Sequence, residues 1–86
     1  MDIYYRPKFR RHYKRLPPDI RDLFKKKEGV FRQDPFDYSL RTHKLHGKFE
    51  GLLAFWIDYQ HRVIFEIFSE GHVCWFHDIG AHDVYD

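Results

Sequence analysis

Histidine and arginine are the residues of this 86-residue chain that could act as acid, base and cation on a phosphodiester. The chain has seven histidines, and unperturbed histidine titrates nearest to neutral pH. RNA cleavage without a metal ion needs a base for the ribose 2′-hydroxyl, a cation beside the nonbridging oxygens and an acid for the leaving 5′-oxygen. His43 or His46 could supply the base. Arg62 could supply the cation and His82 the acid, while Tyr85 could add a hydrogen bond or a stacking ring. The alternative is a set of ordinary surface histidines and an aromatic ring that packs the C-terminus.

Metal binding by the same histidines is not favoured by their spacing. His77 and His82 lie five residues apart, and residues at that spacing on one strand point to opposite faces unless a break, for example at Gly80, intervenes. His43 and His46 pair no better without helical structure. No recognised metal-ligand motif, glycine-rich phosphate loop or nucleophile elbow occurs. We therefore expect neither a metal ion nor another cofactor.

The segment 52–79 must position these groups, because it contains the densest apolar residues of the chain. Three runs, at 52–57, 63–68 and 73–79, are separated by polar four-residue breaks, which is typical of a β-meander. In the middle run, alternate side chains face opposite ways and both sets are largely apolar. This run is therefore predicted to be central in its sheet. Arg62, at its start, is either a solvated strand end or an anion contact.

The preceding half of the chain predicts one strand and two helices. Residues 2–6 can form the strand, and apolar residues at helical spacing then follow up to Leu16. Pro17 and Pro18 end one helix and begin another, which continues to about Gln33. Residues 41–46 could start a strand or form a loop. The predicted fold is α+β, with an N-terminal strand, a helical hairpin and a three-stranded antiparallel meander in one mostly antiparallel sheet, as a single domain over residues 1–86.

Charge is divided unevenly between the two halves. Residues 1–48 hold 14 Lys or Arg and six Asp or Glu, which gives +8, whereas residues 49–86 hold one Arg and seven acids, which gives −6. A basic half can bind nucleic acid or an acidic partner, although it can also be a solvated helix face. No apolar run approaches about 18 residues and no signal peptide opens the chain, so we expect a cytoplasmic protein without membrane contact. Cys74 is the only cysteine, and its apolar surroundings predict a buried, inert thiol.

Three segments together resemble the RelE/ParE superfamily of bacterial toxins from type II toxin–antitoxin modules, especially its RelE- and YafQ-like members. These segments are RTHKLHGKFEG at 41–51, HRVIFEI at 61–67 and DIGAHDVY at 78–85. The resemblance implies a helical hairpin on an antiparallel sheet, a concave nucleic-acid face and a cognate antitoxin as partner. Nuclease members cleave messenger RNA, commonly on the ribosome, without a metal ion.

The resemblance also implies roles for four catalytic candidates. Arg62 matches the arginine that opens the central strand and contacts the scissile phosphate. His82 lies where the family has a residue that acts on the leaving group, and Tyr85 matches a tyrosine that orients the substrate. His43 matches a histidine of YafQ-like members in the segment before the meander.

Lys44, His46 and Lys48 are the predicted substrate-binding residues, and Lys44 lies near a lysine of RelE-like members. The chain also departs from the family pattern, since its acidic second half lacks several basic residues and the position of a YafQ-like catalytic aspartate is not clearly filled. Two other functions are compatible with the resemblance, because one fold can serve several uses. A ParE-like chain would inhibit DNA gyrase without catalysis, and an inactive relative would only bind an antitoxin.

Overall fold

The computed structural model describes residues 1–81, which form two helices and a five-stranded sheet. The helices are α1 (Pro7–Arg15) and α2 (Pro18–Gln33), and the strands are β1 (Asp2–Tyr5), β2 (His43–Lys44), β3 (Leu53–Trp56), β4 (His61–Phe68) and β5 (Val73–Ala81). The strand order is β1-β5-β4-β3-β2. β1 pairs with β5 in parallel and every other neighbouring pair is antiparallel. The predicted α+β fold with one mostly antiparallel sheet is confirmed.

Proline determines where both helices begin. Pro7 and Pro18 occupy first helical positions, where the missing N–H has no intrahelical partner to lose and the ring already fixes a helical φ. α2 ends at Gln33, as predicted, because Asp34 adopts an extended backbone before Pro35. Within residues 1–81, neither helix is long and apolar enough to cross a membrane.

Aromatic rings fill the space between the helices and one face of the sheet. Phe9 of α1 contacts Phe24 of α2, and both rings contact Phe76 of β5. Phe31 of α2 is fully buried and packs against three rings of the sheet, including Phe55. Large rings suit a chain of this size, because a small domain has little interior volume and each ring buries a large apolar area. The thiol of Cys74 lies in the same core, as predicted.

The middle run of the meander is central in the sheet, as its two apolar faces predicted. β4 lies between β3 and β5 and pairs with β3 over residues 62–65 and with β5 over residues 61–68. Val63 and Phe65 are fully buried in the helix-facing core, and Ile64 on the other face is only 2% exposed. β4 starts at His61, so Arg62 is its second residue.

Two details of the sheet differ from what the sequence pattern indicated. β5 continues through Gly80 to Ala81 without a break, and the irregularity lies at His77 instead. Ile64 pairs with Asp78 and Phe65 with Phe76, which leaves His77 as the extra residue of a β-bulge. Part of the segment that could have been loop or strand is a strand, because His43 and Lys44 pair with β3. The sheet therefore has a fifth strand that the predicted meander did not include.

Candidate nucleic-acid site on the open face of the sheet

The face of the sheet opposite the aromatic core, called here the open face, contains two of the seven candidate site residues. Side chains alternate along each strand, so the residues between the core positions belong to this face. Its members are His43, Ala54, Trp56, Arg62, Ile64, Glu66, Trp75 and Asp78. Two predicted catalytic residues, His43 and Arg62, are thus brought onto one surface.

His43 and Arg62 lie in neighbouring rows of the open face. His43 pairs with Ala54, which pairs with Ile64, whereas Arg62 belongs to the next row and pairs with Trp56. Strand spacing and rise together place the two Cα atoms about 12 Å apart. His43 is exposed, and its Nδ1 lies 3.0 Å from the carbonyl oxygen of Arg41. Both side chains face the same way, and of the two it is His43 that is exposed to a single-stranded nucleic acid on this face.

Arg62 holds the turn between β3 and β4. Its Nη1 donates hydrogen bonds to the carbonyl oxygens of Asp58, at 2.8 Å, and His61, at 3.1 Å. Its Cζ lies 3.9 Å from the ring centroid of Trp56, a cation–π contact that fixes the plane of the guanidinium. The residue is only 4% exposed. Arg62 is therefore a structural element of the turn. An anion could bind only to the guanidinium N–H groups that do not already donate to Asp58 and His61.

Trp56 carries a second guanidinium, that of Arg41. The Cζ atom of Arg41 lies 4.6 Å from the indole centroid, and Tyr59 meets the indole edge-on at 6.2 Å. Tyr59 is 80% exposed. Exposed aromatic rings among arginines are typical of surfaces that stack single-stranded bases. The sequence analysis named His43 and Arg62 in this region but not Trp56. The contacts of Trp56 with Arg41, Tyr59 and Arg62 depend on the folded structure, so the sequence does not show them.

Asp58 organises the same turn and was not predicted as a site residue. Its Oδ1 accepts hydrogen bonds from the backbone N–H groups of Gln60, at 2.9 Å, and His61, at 2.7 Å. The same oxygen lies 2.9 Å from Nδ1 of His61. Burial acts to raise the pKa of Asp58, but the side-chain and backbone hydrogen bonds of His61 and that of Gln60 outweigh it and lower the pKa from 3.8. The carboxylate is thus a fixed acceptor that shapes the turn.

The three predicted substrate-binding residues lie on and after the edge strand β2. Lys44 is exposed and pairs with Leu53. His46 Nδ1 lies 3.9 Å from a carboxylate oxygen of Glu50, and both side chains are more than three-quarters exposed. Lys48 Nζ lies 5.4 Å from the ring centroid of Phe49. In this exposed setting, Lys44 and Lys48 would contribute charge to the binding of a phosphate backbone more than geometry. The other two candidates, His82 and Tyr85, lie outside the described residues.

A basic cleft beside β5 is the feature that sequence reasoning missed. The cleft has a volume of about 450 Å³ and is lined by Arg6, Pro7, Lys8, Arg11, Phe49, Leu52, Ile64, His77 and Asp78. Asp78 at its base is only 5% exposed. His77 and Asp78 had been weighed only as metal ligands. The sequence shows the basic residues of segment 6–11, but it does not show that they lie beside β5, because that proximity depends on the packing of α1.

Asp78 ties this cleft to helix α1. One carboxylate oxygen lies 2.6 Å from Nδ1 of His12 and accepts the backbone N–H of Ile79 at 2.8 Å, and the other lies 3.5 Å from Nζ of Lys8. His77 forms a separate pair, with Nε2 at 3.0 Å from Oε1 of Glu66. In the part of the chain that the structure describes, no three histidine, cysteine or acidic side chains cluster closely enough to hold a metal ion.

Comparison with known proteins identifies the fold. No family model matches the chain, and no curated protein matches it. Solved structures do match it over nearly its whole length. The YoeB/ParE toxin from Agrobacterium tumefaciens superimposes with a TM-score of 0.80 at 15% identity, covering 95% of this chain and 99% of that one. YafQ from E. coli superimposes with a TM-score of 0.77 at 16% identity, covering 98% and 96%.

A complex supplies a third neighbour of the same kind. The toxin–antitoxin complex RelBE2 from Mycobacterium tuberculosis contains a chain that superimposes with a TM-score of 0.77 at 16% identity, covering 94% of this chain and 96% of that one. The protein therefore has the fold of the RelE/ParE-like toxins, as the three sequence segments indicated. At these identities the likeness defines the fold and leaves the chemistry to the residues of this chain.

Proposed function

We propose that this chain is the toxin of a type II toxin–antitoxin module and that it acts as an endoribonuclease on messenger RNA, with no requirement for a metal ion. The observation that carries the proposal is the open face, where His43 and Arg62 lie in adjacent rows beside a basic cleft, on a fold shared with YafQ and YoeB/ParE toxins. Proton transfer and charge stabilisation by side chains are sufficient for attack of a ribose 2′-hydroxyl on its own phosphate.

The proposed catalytic set is His43, Arg62, His82 and Tyr85. Arg62 stabilises charge on the reacting phosphate through the N–H groups that it does not use in the turn. The histidines supply proton transfer, and Tyr85 orients the substrate. Lys44, His46 and Lys48 follow the edge of the sheet and contribute favourable charge to the RNA backbone.

The proposed partner is a cognate antitoxin. One of the structural neighbours mentioned above is named as a toxin, and another is named as a toxin–antitoxin complex. The first 48 residues of this chain carry +8, which complements an acidic segment of a partner protein. If the substrate is messenger RNA on ribosomes, the toxin and its antitoxin both act in the cytoplasm.

The experiment is induction of the chain in a bacterial host, followed by primer extension to map RNA ends. The wild type is compared with His43→Gln and His82→Ala, and with His72→Ala as the control because His72 is an exposed residue outside the candidate site. New ends within coding regions are expected in the wild type and the control, and they should be lost or strongly reduced in the two variants.

Other outcomes would change the assignment. Growth arrest with intact RNA, together with stalled gyrase–DNA complexes in a supercoiling assay, would replace the nuclease by a gyrase inhibitor. Neither growth arrest nor RNA cleavage, with antitoxin binding retained, would indicate an inactive relative. Cleavage that persists unchanged in His82→Ala would remove His82 from the mechanism while leaving the nuclease in place.

A further inference from the structure

We infer that His77, positioned by Glu66, is a catalytic residue of this nuclease and takes the proton from the ribose 2′-hydroxyl of a single-stranded RNA held in the basic cleft. The inference rests on the proposed function, which it deepens by naming where the RNA backbone is bound and which histidine is the base. It assigns to His77, which lies within the described part of the chain, the base role that the sequence analysis gave to His43 or His46, and it leaves His43 as a group that contacts the RNA.

The cleft has the size and the walls of a nucleotide site. Its volume of about 450 Å³ falls within the range of small-ligand sites. Phe49 and Leu52 are partly exposed and provide apolar surface on which the face of a base can lie, whereas Ile64, the third apolar residue of this wall, is buried. The remaining lining residues are polar or charged, apart from Pro7 at the start of α1. An apolar wall beside a charged wall matches a nucleotide, which has an apolar base face and an anionic phosphate.

Three cations line the charged wall. The guanidinium of Arg6 stacks on Trp75, with its Cζ atom 4.4 Å from the ring centroid. Lys8 is 60% exposed, with Nζ 3.5 Å from the Asp78 carboxylate. Arg11 is exposed and forms no ion pair with another of residues 1–81. The one buried carboxylate is already shared by Lys8 and His12, so the cleft keeps an excess of positive charge for a phosphate.

His77 presents one ring nitrogen that is fixed and one that is available. Its Nε2 lies 3.0 Å from Oε1 of Glu66, and the two side chains are 26% and 29% exposed. A carboxylate accepts hydrogen bonds only, so in the neutral imidazole the proton lies on Nε2 and the lone pair on Nδ1. Within residues 1–81, Nδ1 has no hydrogen-bond partner. Glu66 is therefore a positioning residue that leaves Nδ1 ready to accept a proton.

The other histidines near the site are less suited to this role. His12 Nδ1 is engaged by the Asp78 carboxylate at 2.6 Å, and His61 Nδ1 by the Asp58 carboxylate at 2.9 Å. His43 lies on β2, three strands away from β5, a distance of about 14 Å between strand axes. His77 alone among the described histidines lines the cleft that holds the three cations.

The chemical step balances without a further reactant. The 2′-oxygen forms a bond to phosphorus while its proton passes to Nδ1 of His77. The bond between phosphorus and the 5′-oxygen breaks, the electron pair leaves with that oxygen, and the oxygen takes a proton from solvent water. The imidazolium of His77 then gives its proton to the hydroxide that remains, which restores the base. The products are a 2′,3′-cyclic phosphate and a free 5′-hydroxyl. Lys8 stabilises the charge that develops on the nonbridging oxygens, and Arg11 binds the phosphate equally in the substrate and the transition state.

The test measures cleavage by the purified full chain of a mixed-sequence single-stranded RNA, both free and as messenger on ribosomes. His77→Ala is compared with His72→Ala, an exposed histidine that does not line the cleft. A lost general base is expected to lower the rate at saturating RNA by about 10²-fold or more, whereas the control should stay within about twofold of the wild type. Added imidazole should restore part of the rate to His77→Ala and have no effect on the control, which a purely structural role would not produce.

Arg11→Gln provides an independent test should His77→Ala fail to fold. Arg11 is exposed, and Arg15→Gln on the same helix is the matched control because Arg15 is exposed and does not line the cleft. Loss of one charge-assisted phosphate contact is expected to raise KM about tenfold in Arg11→Gln, with no change in Arg15→Gln. An all-2′-deoxy oligonucleotide should compete with the RNA and remain uncut.

Each result separates the inference from the proposed function. A wild type that cuts RNA beside a His77→Ala variant of equal rate, or beside an Arg11→Gln variant of equal KM, overturns the inference and leaves the nuclease. A wild type and a His72→Ala control that cut neither free nor ribosome-bound RNA overturn the proposed function and the inference with it. Loss of cleavage in His77→Ala with imidazole rescue, and a raised KM in Arg11→Gln, support both.

Discussion

Replacement of Asp78 by alanine is expected to destabilise the fold by about 3 kcal/mol. The change removes the contacts of a carboxylate that is 5% exposed, namely those with His12, Lys8 and the backbone N–H of Ile79. Hydrogen bonds to a charged group each contribute about 1.5–3 kcal/mol net. The contact with Lys8 contributes less, because at 3.5 Å and 60% exposure it resembles a surface ion pair.

The partners of Asp78 do not add a further desolvation cost when the carboxylate is removed. His12 is 33% exposed and Lys8 60% exposed at the side chain, so both side-chain partners of Asp78 can regain water when the carboxylate is removed. The loss therefore stays below the full 3–5 kcal/mol expected when a charge is left buried and unpaired. For a domain of this size, about 3 kcal/mol corresponds to a fall in Tm of roughly 12–24 °C.

The assay is urea and thermal unfolding, with Asp22→Ala as control because Asp22 is an exposed aspartate of α2. Asp78→Asn should lose less than Asp78→Ala, since it keeps an acceptor for Ile79. A double-mutant cycle should give a coupling of about 1–2 kcal/mol between Asp78 and His12 and below about 0.5 kcal/mol between Asp78 and Lys8. A loss of less than about 0.5 kcal/mol in Asp78→Ala, relative to Asp22→Ala, would refute the view that this contact fastens α1 to β5.

Two further predictions concern titratable groups elsewhere in the fold. The pKa of Asp58 is lower in the folded chain than in the unfolded chain, so its contribution to stability is present above about pH 4 and is lost as the pH falls through the folded pKa. Asp58→Asn should therefore lower the urea midpoint at pH 7 more than at pH 3, and an equal loss at both values would contradict the assignment. Burial raises the pKa of the Cys74 thiol to about 12 and the residue is 0% exposed. Its alkylation by iodoacetamide at pH 8 should follow global unfolding, whereas labelling of the native protein at the rate of the urea-unfolded chain would show that the thiol is accessible.

The elements of the fold could be predicted because each depends on local pattern. The prolines at 7 and 18 determine the helix starts through their own φ and missing N–H. The almost continuous apolar run at 63–68 identifies a strand that is buried on both faces, and β4 is such a strand. Those features need no knowledge of distant residues.

The candidate site was only partly predictable, because its contacts join distant segments. His43 and Arg62 were named from their chemistry, but the sequence does not give the register that places them in adjacent rows. The functions of Trp56 and Asp58 in fixing Arg62 also depend on that register. Side-chain period is local, whereas register depends on how two strands pack together.

The basic cleft shows most clearly which features the sequence determines and which depend on the tertiary structure. By itself the sequence determined that residues 1–48 are basic, that the meander is apolar and that His77 and Asp78 follow one another. Only the tertiary structure decided that His12 and Asp78, 66 residues apart, meet at 2.6 Å. A bulge at His77 then allows its ring to reach Glu66 and line the cleft. The physical reason is that composition and periodicity specify which residues are buried, but pairing between distant side chains follows from the packing of α1 and the strand register together.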